Sequence, residues 1–173
     1  MKTVLSAVVL LLFAGIACQA EPIQIEKTGI TFEAPKGFKP LSKSIMALKW
    51  RRGNPPKFAV GNEKATTTVA YDLKPHAIPQ DKMDEIKTSF TKLFGRLIPG
   101  IKWIEQKVIE KEGQKWLFLE LTSNAVDTDI HNIMLITGYK DKMLIFNFNS
   151  TKQDFPVYEK ELRKSISSIR LPK

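Results

Sequence analysis

Cysteine and histidine are nearly absent from this chain. Of its 173 residues, one is a cysteine, Cys18, and two are histidines. A disulfide needs two cysteines, so the chain cannot form one internally. Cys18 lies at the end of an apolar N-terminal run, and the folded part of the chain is therefore expected to carry no thiol. This composition suits an oxidising compartment and excludes cysteine-based catalysis.

Long apolar runs are also lacking, except at the N-terminus. Val4 to Ala14 is apolar apart from Ser6, and Lys2 supplies a short positive start. The run has the length of a signal-peptide core and is too short to span a bilayer. Residues 1–20 are therefore predicted to be a signal peptide and residues 21–173 a single domain. The expected location is the periplasm, or the periplasmic side of a membrane.

Two fates of Cys18 are open. In the first, a peptidase cuts after Ala20 and reads Cys18 and Ala20 as the small residues that it requires. In the second, Gly15-Ile16-Ala17-Cys18 resembles a bacterial lipobox, and Cys18 becomes a lipidated first residue that tethers the domain to a membrane. Gly15 departs from that pattern, because a leucine-like residue is usual there.

Acidic residues are in the minority. There are 27 Lys and Arg against 18 Asp and Glu, which gives a formal net charge of +9. The excess favours a protein partner with an acidic surface or another anionic surface. The alternative is a soluble surface that is simply rich in lysine, because the basic residues are spread along the chain. Nucleic acid is not an expected partner of an exported protein.

Two amphipathic helices and a series of strands are predicted. Residues 80–94 and 155–169 place apolar side chains at helical spacing, with Gly95 as the stop of the first helix. Residues 131–137 and 144–149 form a hairpin in which apolar residues recur with the period of a strand. The other predicted strands are residues 21–27, 29–34, 45–50, 58–61, 65–73, 101–110 and 115–122. These elements predict an α+β domain with an antiparallel sheet of about six or more strands, apolar on both faces, that the two helices cover.

Two stretches of the chain resemble a known superfamily. Gly29-Ile30-Thr31-Phe32-Glu33-Ala34-Pro35-Lys36-Gly37-Phe38 is similar to the opening of PsbP-like domains, a strand followed by proline and an aromatic residue. The ending is similar too: Asp154-Phe155 with Tyr158, Leu162, Ile166 and Ser167-Ser168. Over about residues 22–170 the chain thus resembles the PsbP-like and DcrB-like superfamily. This superfamily includes the extrinsic photosystem subunit, the Ran-binding Mog proteins and the DcrB-like periplasmic lipoproteins.

The resemblance implies an α/β/α sandwich and a binding or accessory role, because most of the superfamily is non-enzymatic. It supplies no catalytic motif to carry over. The chain also lacks a Gly-rich phosphate loop, a dinucleotide fingerprint and a Gly-x-Ser-x-Gly motif. No catalytic residue and no cofactor is therefore predicted.

Two small groups of residues are candidates for a site. Trp50, Arg51, Arg52 and Lys57 could bind phosphate or carboxylate, since guanidinium groups beside an indole hold anions and stack on planar groups. The alternative is a solvated loop in which Trp50 caps the core. The second candidate is a metal site at Asp127, Asp129 and His131, which an extended backbone would place on one face. No fourth ligand is evident there.

The sequence therefore predicts an exported, non-enzymatic accessory or binding protein of the bacterial cell envelope, lipidated if Cys18 is retained. Two alternatives stay open. One is a metal-dependent or hydrolytic periplasmic enzyme. The other is a carrier or chaperone for apolar segments, which would need a large apolar groove.

Overall fold

The computed structural model describes residues 22–25, 27–51, 53, 55–125 and 128–172. The predicted signal peptide with Cys18 lies outside the described residues, as do Arg52 and Asp127. Within the described ranges the chain forms nine strands and three α-helices. None of the described helices has the length and apolar character needed to cross a bilayer.

The elements follow one another from the short N-terminal strands to a C-terminal helix. The strands are β1 (Ile23–Gln24), β2 (Thr31–Phe32), β3 (Lys39–Pro40), β4 (Phe58–Gly61), β5 (Thr67–Lys74), β6 (Lys102–Lys111), β7 (Gln114–Asn124), β8 (Asp129–Tyr139) and β9 (Lys142–Thr151). The helices are α1 (Lys43–Lys49), α2 (Met83–Leu97) and α3 (Phe155–Ser168), and a 3-10 turn (Gln80–Lys82) precedes α2.

Seven strands form one antiparallel sheet in the order β3-β4-β5-β9-β8-β7-β6, and β1 pairs with β2 separately. The last strand, β9, lies at the centre of the large sheet. It pairs with β5 on one side, from Thr67 opposite Ser150 to Lys74 opposite Met143, and with β8 on the other. Strands β6 to β9 are joined in sequence as a meander.

Helix α3 covers one face of the sheet. Leu144, Phe146 and Phe148 of β9 all point to that face, because side chains alternate along a strand, and all three are fully buried. They belong to the same apolar cluster as Phe155 and Leu162 of α3.

Helix α2 covers the opposite face, where Met83 and Phe90 pack in a cluster with Leu117, Leu119 and Ile136. Apolar residues therefore cover the sheet on both sides, with one helix against each. The predicted α+β class and the α/β/α sandwich are confirmed.

Helix α2 does not stop at Gly95, where the sequence predicted its end. It continues to Leu97, and its C-cap is Ile98, with an extended backbone at φ −98° and ψ 113°. Gly95 does not adopt a positive φ. The stop comes from Pro99, because the residue before a proline is disfavoured in the helical region.

Residues 45–50, predicted as a strand, instead contribute to helix α1. The Ser42 hydroxyl accepts a hydrogen bond from the Ile45 amide and caps the first turn. The segment Met46-Ala47-Leu48-Lys49 consists of strong helix formers, and Ile45 is the one β-branched residue in the helix. Helix propensity and the cap therefore decide the structure of this short apolar run.

Candidate functional site

The positive charge of the chain is concentrated in residues 34–62, which we call the basic segment. It contains seven Lys and Arg residues and no Asp or Glu. Since the formal net charge of the whole chain is +9, most of the excess positive charge lies in this segment. The basic segment starts before β3, contains α1, and ends with β4.

Five cations of the basic segment are exposed to solvent. Lys36, Lys39, Lys43, Arg51 and Lys57 are all exposed, and among the described residues none of the five forms an ion pair. Their charges are therefore available to an external anion.

Lys49 differs from the other cations of the basic segment. Its side chain is partly buried, its ammonium nitrogen donates to the Ala65 carbonyl at 3.0 Å, and it lies 5.9 Å from the ring centroid of Trp50. Burial lowers the pKa of the Lys49 ammonium. Lys49 thus anchors α1 to the loop after β4.

The predicted anion-binding residues lie just beyond α1. Trp50 is the C-cap of the helix and donates its amide to the Met46 carbonyl, and its side chain is half-buried. Arg51 and Lys57 are exposed, while Arg52 lies outside the described residues. The structure therefore places Trp50 beside Lys49, and it leaves Arg51 and Lys57 as separate surface charges within the basic segment.

Helix α1 also presents apolar side chains to solvent. No residue of the helix is buried, and Ile45 and Leu48 are 40% and 58% exposed. They lie three residues apart and so share one face of the helix. The sequence analysis missed this pair because it predicted a strand for the segment.

A groove of about 620 Å³ lies between the N-terminal loop and α3. Its apolar lining includes Ile23, Phe38 and Phe58, and its charged rim combines two lysines with two glutamates: Lys36, Lys164, Glu33 and Glu161. Lys164 also lies 3.6 Å from a Glu33 carboxylate oxygen. The groove is the size of a small-ligand site, and it joins the basic segment through Lys36.

A buried charge cluster lies under α3. The Glu120 side chain is 4% exposed, and its Oε1 lies 2.8 Å from Nε2 of His131 and 2.9 Å from Nη2 of Arg163. Arg163 also donates from Nε to Glu159 at 2.8 Å. The His131 ring stacks on Phe155, with centroids 3.4 Å apart and planes 7° from parallel.

The buried Glu120 carboxylate has two side-chain partners from different elements, His131 of β8 and Arg163 of α3. Burial alone would lower the pKa of the Arg163 guanidinium, but its hydrogen bonds to Glu159 and Glu120 outweigh this and raise the pKa. Ser150, which lies opposite His131 in the sheet, is fully buried and shares a hydrogen bond of 2.7 Å with Thr67. These groups support the packing of α3, and none of them presents a nucleophile to solvent.

The register of β7 and β8 creates this cluster. Glu120 lies opposite Ile133, so its side chain reaches His131 diagonally, two residues along β8. The one sequence signal was a single acidic residue inside the apolar run Leu117-Phe118-Leu119-Glu120-Leu121.

The predicted metal site is described only in part, because Asp127 lies outside the described residues. Asp129 is exposed at the start of β8, and its carboxylate lies 3.9 Å from the Lys152 ammonium. His131 is buried, with its Nε2 hydrogen-bonded to Glu120. The described part of the chain contains no cluster of three His, Cys, Asp or Glu side chains able to hold a metal ion.

The seven-stranded antiparallel sheet between two helices, with the small N-terminal sheet beside it, is a PsbP-like fold. Cyanobacterial PsbP (CyanoP) from Synechocystis sp. PCC 6803 matches the structure with a TM-score of 0.62 and 16% identity, over 95% of this chain and 99% of its own. The predicted resemblance to PsbP-like proteins is confirmed at the level of the fold.

Two further solved structures share the fold. LpqN of Mycobacterium tuberculosis, involved in cell envelope biogenesis, matches with a TM-score of 0.57 and 10% identity, over 87% of this chain and 90% of its own. PA94 of Pseudomonas aeruginosa, a protein of unknown function, matches with a TM-score of 0.54 and 12% identity, over 90% and 98%. No protein-family model and no curated protein matches the sequence.

Proposed function

We propose that the protein is an exported, non-enzymatic accessory or binding protein of the bacterial cell envelope that binds an anionic surface through its basic segment. The observation that carries the proposal is the set of exposed cations between residues 34 and 62, which have no acidic neighbour in sequence and no ion pair among the described residues. A charged surface of one sign attracts partners of the opposite sign.

The burial and hydrogen bonding of the polar side chains that could act in catalysis support the non-enzymatic part of the proposal. Glu120, His131 and Ser150 are buried, and each is hydrogen-bonded to another side chain. A general base or nucleophile must reach its substrate, and these groups face the packed interior under α3. The envelope setting is supported by the fold shared with LpqN, a protein involved in cell envelope biogenesis.

Electrostatic binding is tested by charge reversal with a matched control. One variant changes four cations of the basic segment to glutamate: Lys39, Lys43, Arg51 and Lys57. The control changes four exposed lysines outside it: Lys82, Lys92, Lys115 and Lys160. Both variants have the same net charge. Elution of the first variant from immobilised heparin at clearly lower salt than the control variant therefore supports binding through the basic segment. Equal elution of both variants would assign the attraction to net charge alone and contradict the proposal.

Export and tethering are tested at the mature N-terminus. We expect mass spectrometry of the protein from the cell envelope to find either a chain that begins at Glu21 or a diacylglyceryl group on Cys18. The second result would add a membrane tether. An intact Met1 on the native protein would overturn the exported location.

A second candidate function is a carrier for a small amphiphile, which the groove beside α3 favours. Its apolar lining and charged rim suit a ligand with an apolar tail and a charged head. Titration with a dansyl-labelled fatty acid tests it. Ala34→Phe, which places a ring in the groove, should weaken binding while the melting temperature stays unchanged. Unaltered fatty-acid binding by this variant would exclude the groove as the binding site.

A further inference from the structure

Helix α1 combines three features on one short element. Ile45 and Leu48 are exposed on one face, Lys43 and Lys49 lie within the helix, and Trp50 closes it. A helix that exposes apolar side chains within a basic segment and ends at a tryptophan is the type of element that lies in the headgroup region of a membrane.

The exposure of Ile45 and Leu48 follows from how α1 is attached to the domain. The helix is held at its two ends, where the Leu41 amide donates to the Ala59 carbonyl at 2.9 Å and Lys49 donates to Ala65. Met46, half-buried, lies on a different side of the helix from the exposed pair. The fold therefore fixes the position of α1 without using its outer face as core.

Exposed apolar residues alone would not identify this surface. Among the described residues the large exposed hydrophobic side chains also include Leu93 and Leu97 on α2. They form a comparable pair four residues apart, in a stretch, residues 86–104, that also lacks Asp and Glu and carries four Lys and Arg. One of those four, Lys87, is paired with Asp84. The basic segment around α1 carries seven Lys and Arg, so the α1 pair lies in the more strongly charged of the two stretches.

We propose that α1, with Arg51 and Lys57 beyond its C-terminal end, docks the protein on an anionic lipid bilayer. Ile45 and Leu48 enter the boundary between headgroups and acyl chains, while Arg51 and Lys57 contact lipid phosphates. This rests on the proposed function, since it names the anionic surface that the basic segment binds. The side chains project from the helix, which suits a fluid bilayer better than a protein that would need a matching pocket.

The test uses the mature chain and co-sedimentation with vesicles of phosphatidylglycerol and phosphatidylcholine in equal amounts. We expect binding to these vesicles, weaker binding at high salt, and little binding to phosphatidylcholine alone. The double variant Ile45→Ser/Leu48→Ser should bind about tenfold more weakly, because it loses the inserted apolar area. The matched control Leu93→Ser/Leu97→Ser should bind as the unaltered protein does.

Fluorescence provides a second readout. The fluorescence of Trp50 should shift to shorter wavelength on vesicle binding. Trp50→Phe should remove most of the shift, because Trp116 is buried in the core and Trp103 packs against the apolar cluster under α2. Equal vesicle affinity of the α1 variant and the unaltered protein would overturn insertion by α1.

Heparin separates the failure of this inference from the failure of the proposed function. If the protein binds heparin but no vesicles, the basic segment serves an acidic macromolecule, so membrane docking is wrong and the proposed function stands. If it binds neither, both are wrong. If Ile45→Ser/Leu48→Ser loses heparin and vesicle binding together, the variant has disturbed the basic surface itself and the claim of insertion fails.

Discussion

Glu120 shows what a single residue contributes to this fold. It is a charged side chain that is 4% exposed, on the sheet face that α3 covers. Removing one partner of a buried polar contact leaves the other unsatisfied, which costs more than the intact contact contributes. The stability of α3 on the sheet should therefore depend strongly on this carboxylate.

Glu120→Gln is expected to lower the free energy of unfolding by about 1–3 kcal/mol, because the amide cannot replace both buried carboxylate contacts, to His131 and to Arg163. Urea unfolding followed by circular dichroism measures the change. The control is Glu159→Gln, which removes the exposed partner of the same Arg163 and should cost no more than about 0.5 kcal/mol. Similar losses of unfolding free energy in the two variants would show that the burial of Glu120 does not make its contacts more stabilising than those of Glu159.

The position of Gly95 inside α2, where the sequence predicted the end of the helix, leads to a second prediction at the scale of single residues. It lies in the interior of α2, is exposed, lacks a positive φ, and has no atom within 4 Å of the position that a Cβ would take. Gly95→Ala should therefore raise the free energy of unfolding by about 0.5–1 kcal/mol.

The matched control for that substitution is Gly113→Ala. Gly113 also has free space around its Cβ position, but its φ is +73° in the turn between β6 and β7. Because alanine disfavours a positive φ, Gly113→Ala should lower the free energy of unfolding by about 1 kcal/mol. If both substitutions change the melting temperature in the same direction, backbone conformation does not decide the outcome at these glycines.

At the scale of elements, α1 should be the least stable helix of the domain. It has seven residues and buries none of them, whereas isolated helices need about 12–15 residues even to be marginal in water. Its stability depends on its cap and on the contacts at its ends.

Ser42→Ala removes the N-cap and should destabilise α1 by about 1 kcal/mol. We expect hydrogen exchange of the Met46 and Trp50 amides to become several times faster, while global unfolding hardly changes. Ser42→Asp, an equally good cap, should keep exchange slow. A large drop in global stability for Ser42→Ala would mean that α1 is part of the cooperative core.

Some secondary-structure elements could be predicted from the sequence and others could not. Strand β9 and helix α3 were predicted within a few residues because their apolar positions repeat with a period of two and of 3.6, respectively. Helix α1 was not, because a short apolar run fits a strand as well as a helix and only the Ser42 cap separates them. The contact of Glu120 with His131 depends on strand register, which local patterns do not determine.

At the scale of the whole molecule, α2 and α3 pack on the two faces of the same sheet. We therefore expect the domain to unfold in a single cooperative transition. Leu162 of α3 and Met83 of α2 are buried on opposite faces of that sheet. Each change to alanine should lower the same global free energy of unfolding by about 2–5 kcal/mol, with one transition and an unchanged slope against urea.

Val157→Ala is the control for these core variants, because Val157 on α3 is 75% exposed and should contribute little. Two separate transitions in either core variant would mean that the faces unfold independently. The proposal of a single domain over residues 21–173 would then be wrong.

The central position of β9 also sets the order in which a growing chain can complete its sheet. During synthesis, β5 leaves the ribosome about 70 residues before the strand that will be its inner neighbour. Until Lys142–Thr151 emerges, the two halves of the sheet have no strand to join them. The complete sheet therefore closes only when synthesis is nearly finished, and the domain cannot reach its full fold before its central strand has emerged.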